Sequence, residues 1–236
     1  MERVKTGISG LDQLLQGGFP SDSNVLVSGG NGTGKTIFSM QYVYNGAAQF
    51  KEPGIFVTVE SNAKSIAWDM QSFNWGIHEL QEKKLFNIFR MSLGFAKSDR
   101  YVSDKISEQL RLIESKVKEM NATRLVIDST TAFATWMESF EFRPRLFEFL
   151  DGLKDLGCTT LFTSETSGGK TDFSAFGVEE FVADGVIALY FVPPNRSIFV
   201  RKMRGTGHST SLHPFEITNA GILIKPKEQV MWEAIK

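Results

Sequence analysis

The residues from Gly29 to Thr36 read Gly-Gly-Asn-Gly-Thr-Gly-Lys-Thr: a glycine, four residues, then glycine, lysine and threonine. That is the pattern of a phosphate-binding loop. Glycines let the backbone curl until successive N–H groups converge on phosphate oxygens, and the helix that follows adds its positive end. Lys35 supplies a point charge for the β- and γ-phosphates, and the Thr36 hydroxyl takes a position on Mg²⁺. Asn31, Gly32, Thr33, Gly34, Lys35, Thr36 and Ile37 are therefore the expected nucleotide-binding run. The alternative, a chance match in a glycine-rich turn, does not fit the context. The loop follows a short apolar strand, Asn24 to Ser28, and opens a helical stretch over 36–50.

A phosphate loop needs an acid near its metal, and two acids close apolar segments. Asp128 ends Leu125-Val126-Ile127, and Glu60 ends Phe56-Val57-Thr58-Val59. In open α/β sheets the carboxyl ends of the strands face the ligand crevice. Asp128 is expected to hold Mg²⁺ through its water shell, and Glu60 to orient and deprotonate an attacking water. For either acid alone the competing reading is a helix cap or a solvated turn residue. Ser164 and Glu165 end the next strand and are candidates for sensing the γ-phosphate; a plain strand-ending cap explains them equally.

The elements that must position these groups alternate between two periods. Further strands are expected over 54–59, 85–91, 124–128 and 159–164. Ile66, Met70 and Phe73 follow helical spacing. Val102, Ile106, Leu110, Ile113, Val117 and Met120 form one apolar stripe of a helix over 101–121. Pro144 suits the first turn of another helix, with Leu146, Phe147, Leu150 and Leu153 inward and Gly157 as its stop. Apolar strands separated by amphipathic helices predict a mostly parallel sheet covered on both faces. After Gly185, segments 186–191, 197–204, 213–217 and 221–224 are joined by short turns and predict an antiparallel extension of that sheet.

The 236 residues suit one α/β domain over 1–236. A formal net charge of −1 gives no whole-molecule attraction to nucleic acid or to an anionic membrane. Cys158, the single cysteine, is expected to be a buried structural thiol. No stretch approaches the roughly 18 apolar residues of a membrane span, so a cytoplasmic protein with no membrane partner is expected.

The chain resembles the KaiC-like branch of the RecA superfamily, in its single-domain archaeal form. The resemblance covers nearly the whole length. It rests on Thr6-Gly7-Ile8-Ser9-Gly10-Leu11-Asp12 with Gly17-Gly18-Phe19-Pro20, the phosphate loop, Glu60, the run from Gly177 to Gly185, and Lys202-Met203-Arg204-Gly205-Thr206-Gly207-His208. It implies a RecA-like fold and a homo-oligomeric ring, usually a hexamer, that hydrolyses ATP with Mg²⁺ between neighbouring subunits. Lys202 and Arg204 match positions that reach the γ-phosphate of the adjacent subunit's nucleotide, with Met203 between them in the same contact set. Two residues apart on a strand, the two cations project from one face about 7 Å apart, and cations added in trans stabilise charge in phosphoryl transfer. Ser72, Thr206, His208, Thr218 and Asn219 fall where the family contacts base and ribose, and a strained or cis peptide is implied after Asp128. Two departures stand out. Regulatory members carry paired glutamates where this chain has Glu60 and Ser61, and the clock protein fuses two copies of the domain. Autophosphorylation therefore does not carry over.

Three functions remain open: a ring ATPase that regulates unnamed protein partners, a single-stranded DNA-binding recombination paralogue, and a slow nucleotide-switch scaffold. In the loop over 167–176, Phe173 and Phe176 are placed to stack bases. With one lysine and one aspartate, however, the loop lacks a cationic groove. DNA is the second choice.

Overall fold

Burial on both faces decides this architecture. Strands β3 (Asn24–Gly29), β4 (Gly54–Thr58) and β6 (Arg124–Asp128) are buried along almost every residue. Such strands are stable only between two covering layers. The structure is a computed structural model, and it describes residues 1–59, 62–91, 99–135, 139–166 and 172–235.

Two short strands, β1 (Arg3–Val4) and β2 (Phe19–Pro20), pair antiparallel around α1 (Leu11–Leu14). The remaining elements are α2 (Lys35–Asn45), α3 (Ala63–Asp69), α4 (Ile77–Glu82), β5 (Phe86–Arg90), α5 (Asp99–Met120), α6 (Ser139–Gly152), β7 (Thr159–Glu165), α7 (Glu179–Val182), β8 (Gly185–Val192), β9 (Asn195–Met203), β10 (Leu212–Thr218) and β11 (Gly221–Ile224). Nine strands form one sheet in the order β11-β10-β9-β8-β3-β7-β6-β4-β5. It is parallel from β8 to β5 and antiparallel from β8 to β11. The parallel sheet with an antiparallel C-terminal extension is as expected, except that β8 itself pairs parallel with β3.

Alternate residues of each strand feed opposite cores. Leu26, Ile55, Leu125, Ile127 and Phe162 pack under α5 and α6, while Val25, Val27, Phe56, Val126 and Leu161 pack under α2. This is the two-residue period of a sheet covered on both sides.

Three local expectations need correction. Helix α6 starts at Ser139, so Pro144 lies inside it instead of in its first turn. Its inward stripe is Leu146, Phe149, Leu150 and Leu153, with Phe147 left 49% exposed. Positions 146, 149, 150 and 153 share a face at 3.6 residues per turn, and 147 points roughly 100° away. The helix from the phosphate loop changes at Gly46 into a π-helical turn over Gly46–Phe50. Arg124 crosses there, and a Cβ on Gly46 would lie 2.3 Å from its side chain. Arg124 is fully buried, donating to Glu52 Oε2 at 2.7 Å, Tyr42 O at 2.9 Å and Lys5 O at 2.6 Å. Cys158 is buried, its Sγ 3.2 Å from Ala122 O, and burial pushes its pKa up to about 12. It is a structural thiol, as expected. Among the described residues, no helix is long and apolar enough to cross a membrane.

Candidate functional site

The phosphate loop leaves the carboxyl end of β3 and turns directly into α2. Gly32 (φ 74°) and Gly34 (φ 101°) take left-handed conformations that L side chains rarely adopt. Gly34 is the residue from which α2 begins. Lys35 folds back across the loop, donating to the carbonyls of Gly29 at 2.8 Å and Gly30 at 3.0 Å, with the Glu165 carboxylate 4.0 Å away. Thr36 Oγ1 donates to Asp128 Oδ2 at 2.9 Å, and the Thr163 hydroxyl donates to Asp128 Oδ1. A hydroxyl and a carboxylate in direct contact beside a glycine cradle are hard oxygen donors of the kind Mg²⁺ selects, so these residues fit that ion.

The ends of β4 and β6 meet here, because Val59 N donates to the carbonyl of Asp128 at 2.8 Å. Glu60, the next residue, lies outside the described residues. The Asp128–Ser129 peptide is cis, in line with the resemblance.

An open cavity of about 420 Å³ lies over the loop. Asn31, Gly32, Gly34, Lys35, Thr36 and Ile37 form its floor, and Thr58, Asp128, Ser129 and Glu165 its strand-end wall. The rest of the lining is Ile66, Met70, Phe73, Arg196 and Ile217. Ile66, Met70 and Phe73 are the helically spaced residues of the sequence, which line the cavity as well as packing inward. Arg196 and Ile217 were not singled out by sequence reasoning. Arg196 donates to Gly32 O at 3.3 Å and lies 4.1 Å over the Phe191 ring. No local motif marks it, because a strand residue becomes a loop neighbour only through tertiary pairing.

The other expected residues fall in three places. Ser72 is exposed in a 3₁₀ turn (Met70–Ser72) whose Met70 lines the cavity. Thr218 Oγ1 donates to Gly221 O at 3.0 Å and accepts from Ala220 N at 3.2 Å, closing the β10–β11 turn beside exposed Asn219. Ser164 is buried and faces away from the cavity, 2.9 Å from Glu179 Oε1, while Glu165 borders it.

Lys202, Arg204, Thr206 and His208 are absent from this cavity's lining. Met203 pairs with Gly185, which pairs with Val25 at the amino end of β3. The cations therefore lie roughly 13 Å of strand away from Gly29, at the opposite end of the sheet. Lys202 Nζ donates to Glu180 O at 3.1 Å and Ala183 O at 2.5 Å, and Arg204 pairs with Asp184 Oδ1 at 3.1 Å. Burial, then the nearby Arg204 charge, hold the Lys202 pKa below the usual lysine range. Met203 is buried in the core, so only its backbone is open to a ligand. Thr206 is bonded to Arg3, and His208 Nδ1 donates to Ser209 O at 2.9 Å.

Comparison with known proteins agrees with this geometry. The family described as "ATPase: KaiC" matches residues 4–229. A UPF0273 protein of Thermotoga maritima is 41% identical, covering 97% of this chain and 98% of its own length. Another, from Methanocaldococcus jannaschii, is 40% identical over 96% of this chain and 97% of its own. The circadian clock oscillator protein KaiC of Parasynechococcus marenigrum is 36% identical across 96% of this chain, which spans 45% of that protein. The crystal structure of a KaiC-like protein from Pyrococcus horikoshii superposes with a TM-score of 0.85 at 38% identity, covering 95% of this chain and 99% of that one. This chain belongs to the KaiC family of ATPases, as a KaiC-like member of the RecA superfamily.

Proposed function

We propose that this chain hydrolyses ATP with Mg²⁺ at sites shared between neighbouring copies in a closed ring, a hexamer by resemblance, and acts as a regulatory ATPase on protein partners. One observation carries the reading: the phosphate cradle and the Lys202–Arg204 pair lie at opposite ends of the same sheet. A head-to-tail contact joins two such unlike faces, and head-to-tail contacts generate rings. Phe181 beside the cations and Trp68 on α3 are 78% and 70% exposed. They give an apolar knob to each of the two faces that the ring brings together.

In this reading the Asn31–Ile37 run cradles the phosphates, and Lys35 leaves its resting carbonyls for the β- and γ-phosphates. Thr36 and, through water, Asp128 hold Mg²⁺, which neutralises charge on the phosphate oxygens. Glu60 orients and deprotonates the attacking water. Lys202 and Arg204 of the adjacent copy stabilise charge on the transferred group. Ile217 and Arg196, with Ser72, Thr218 and Asn219 near by, serve the base and ribose from within the chain. Thr206, His208 and the Met203 backbone serve them from the neighbour. Glu165, 4.0 Å from Lys35, is the better placed of the two sensor candidates.

The DNA-binding alternative loses its aromatic support. Phe173 is buried beneath the Arg201 guanidinium, 5.4 Å from its ring centroid, and Phe176 is half-buried. Phosphate release by Lys202→Ala tests the proposal: a fall of ~10²–10³-fold is expected, and an unchanged rate sinks the shared site. Turnover near background in the wild type, with tight ATP binding, points instead to the switch scaffold.

A further inference from the structure

Three consecutive residues of β7 make three different connections. The Thr163 hydroxyl holds Asp128, and the Glu165 carboxylate lies 4.0 Å from Lys35, so both sit on the phosphate side. Ser164, on the opposite face of the strand, lies against Glu179, the first residue of α7.

Glu179 is fully buried. Its Oε1 accepts from Ser164 Oγ at 2.9 Å and from Thr130 Oγ1 at 3.4 Å, and its Oε2 accepts from Val178 N at 3.2 Å. Burying a carboxylate is costly even when it is hydrogen-bonded, more than the start of a four-residue helix requires. Thr130 follows the Asp128–Ser129 peptide and also donates to Thr163 O at 2.9 Å, so Glu179 touches both strand ends that border the cavity. The other end of the same helix holds the cation: Lys202 donates to the carbonyls of Glu180 and Ala183. Asp184, directly after, pairs with Arg204. Four residues of helix extend only about 6 Å. A displacement of the β7 end at one terminus is therefore felt at the other.

We propose that Glu179 is a positioning residue that couples the nucleotide state of a subunit's own cradle, through α7, to the placement of Lys202 and Arg204 in the next subunit's site. This rests on the reading that those two cations act in trans. Nucleotide in the cradle draws on Lys35 and Asp128, hence on Glu165 and Thr163. The shift of β7 reaches Glu179 through Ser164 and is delivered to the carbonyls that hold Lys202. Successive sites in the ring then fire in dependence on one another.

Steady-state turnover against ATP concentration, with equilibrium ATP binding, is compared for the wild type, Glu179→Ala, Glu179→Gln, Lys202→Ala and Glu179→Ala/Lys202→Ala. Glu179→Ala is expected to lower kcat about ten-fold, within the range of measured couplings between sites. ATP affinity stays within two-fold, about the wild-type value, and the Hill coefficient falls toward one. Glu179→Gln, which keeps an acceptor for Ser164, recovers most of the rate and covers the case in which the alanine variant fails to fold. In the Lys202→Ala background, loss of Glu179 is expected to cost little more, because its route ends at Lys202. If the double variant shows the product of the two single losses, or if Glu179→Ala weakens ATP binding as much as it slows turnover, the coupling is overturned while the shared site stands. An unaffected rate in Lys202→Ala alone overturns both.

Discussion

The cradle at the carboxyl ends of the strands and the Lys202–Arg204 face at their amino ends are built in opposite ways. The cradle is contiguous in sequence and closed on itself: Lys35 rests on its own loop, and Thr36 and Thr163 hold Asp128. The cation face is assembled from α7 and β9, and its charges rest on helix carbonyls and on Asp184. A group that contacts phosphate within one chain can be fixed by local turn geometry. One that contacts a neighbour's phosphate must be stored until assembly, on acceptors that release it readily. Hydrogen bonds to carbonyls and a surface ion pair are such acceptors.

Glu60→Gln breaks the cradle side most severely. It is expected to lower phosphate release by ~10³-fold while ATP still binds, measured by turnover beside titration with a fluorescent nucleotide. Equal loss of binding would remove Glu60 from the chemistry. A packing control separates chemistry from stability. Phe149→Ala is expected to destabilise the fold by ~3–5 kcal/mol, and Phe147→Ala by no more than ~0.5 kcal/mol, read as denaturant midpoints. Similar losses would contradict the inward face assigned to α6. The smallest effect sharpens the cation side. Because Lys202 is held below the usual lysine range, its proton leaves early as pH rises, and kcat/KM should fall on the alkaline side before an ordinary lysine titrates. Lys202→Arg stays charged there, so its alkaline arm should move to higher pH while its neutral-pH rate drops a few-fold. An arm that does not move would assign it to another group.

Much of this was legible in the sequence, for physical reasons. The phosphate loop is local chemistry, and the apolar runs of β3, β4, β6 and β7 leave no choice but a sheet covered twice. The α5 stripe is visible because its spacing is regular. Phe147 was misplaced because it stands beside Leu146, where an apolar pair does not declare which member faces inward. Gly46 gave no sign of the π-helical turn, since the cause is Arg124, 78 residues further along. Arg196 and Ile217 reach the cavity only through strand pairing. Glu179 looked like one of two surface glutamates before an apolar run, and only its burial against Ser164 distinguishes it. Lys202 and Arg204 came from resemblance, and their spacing alone would equally have described a solvated strand edge.

Complementation in trans tests the shared site most directly. Lys35→Ala subunits, which keep their cations but lose the cradle, are mixed with Lys202→Ala/Arg204→Ala subunits, which keep the cradle but lose the cations. Each preparation alone is expected to sit near background, and the mixture should recover a clear fraction of wild-type phosphate release as mixed junctions form. A mixture that co-assembles yet turns over no faster than its two components would contradict the account.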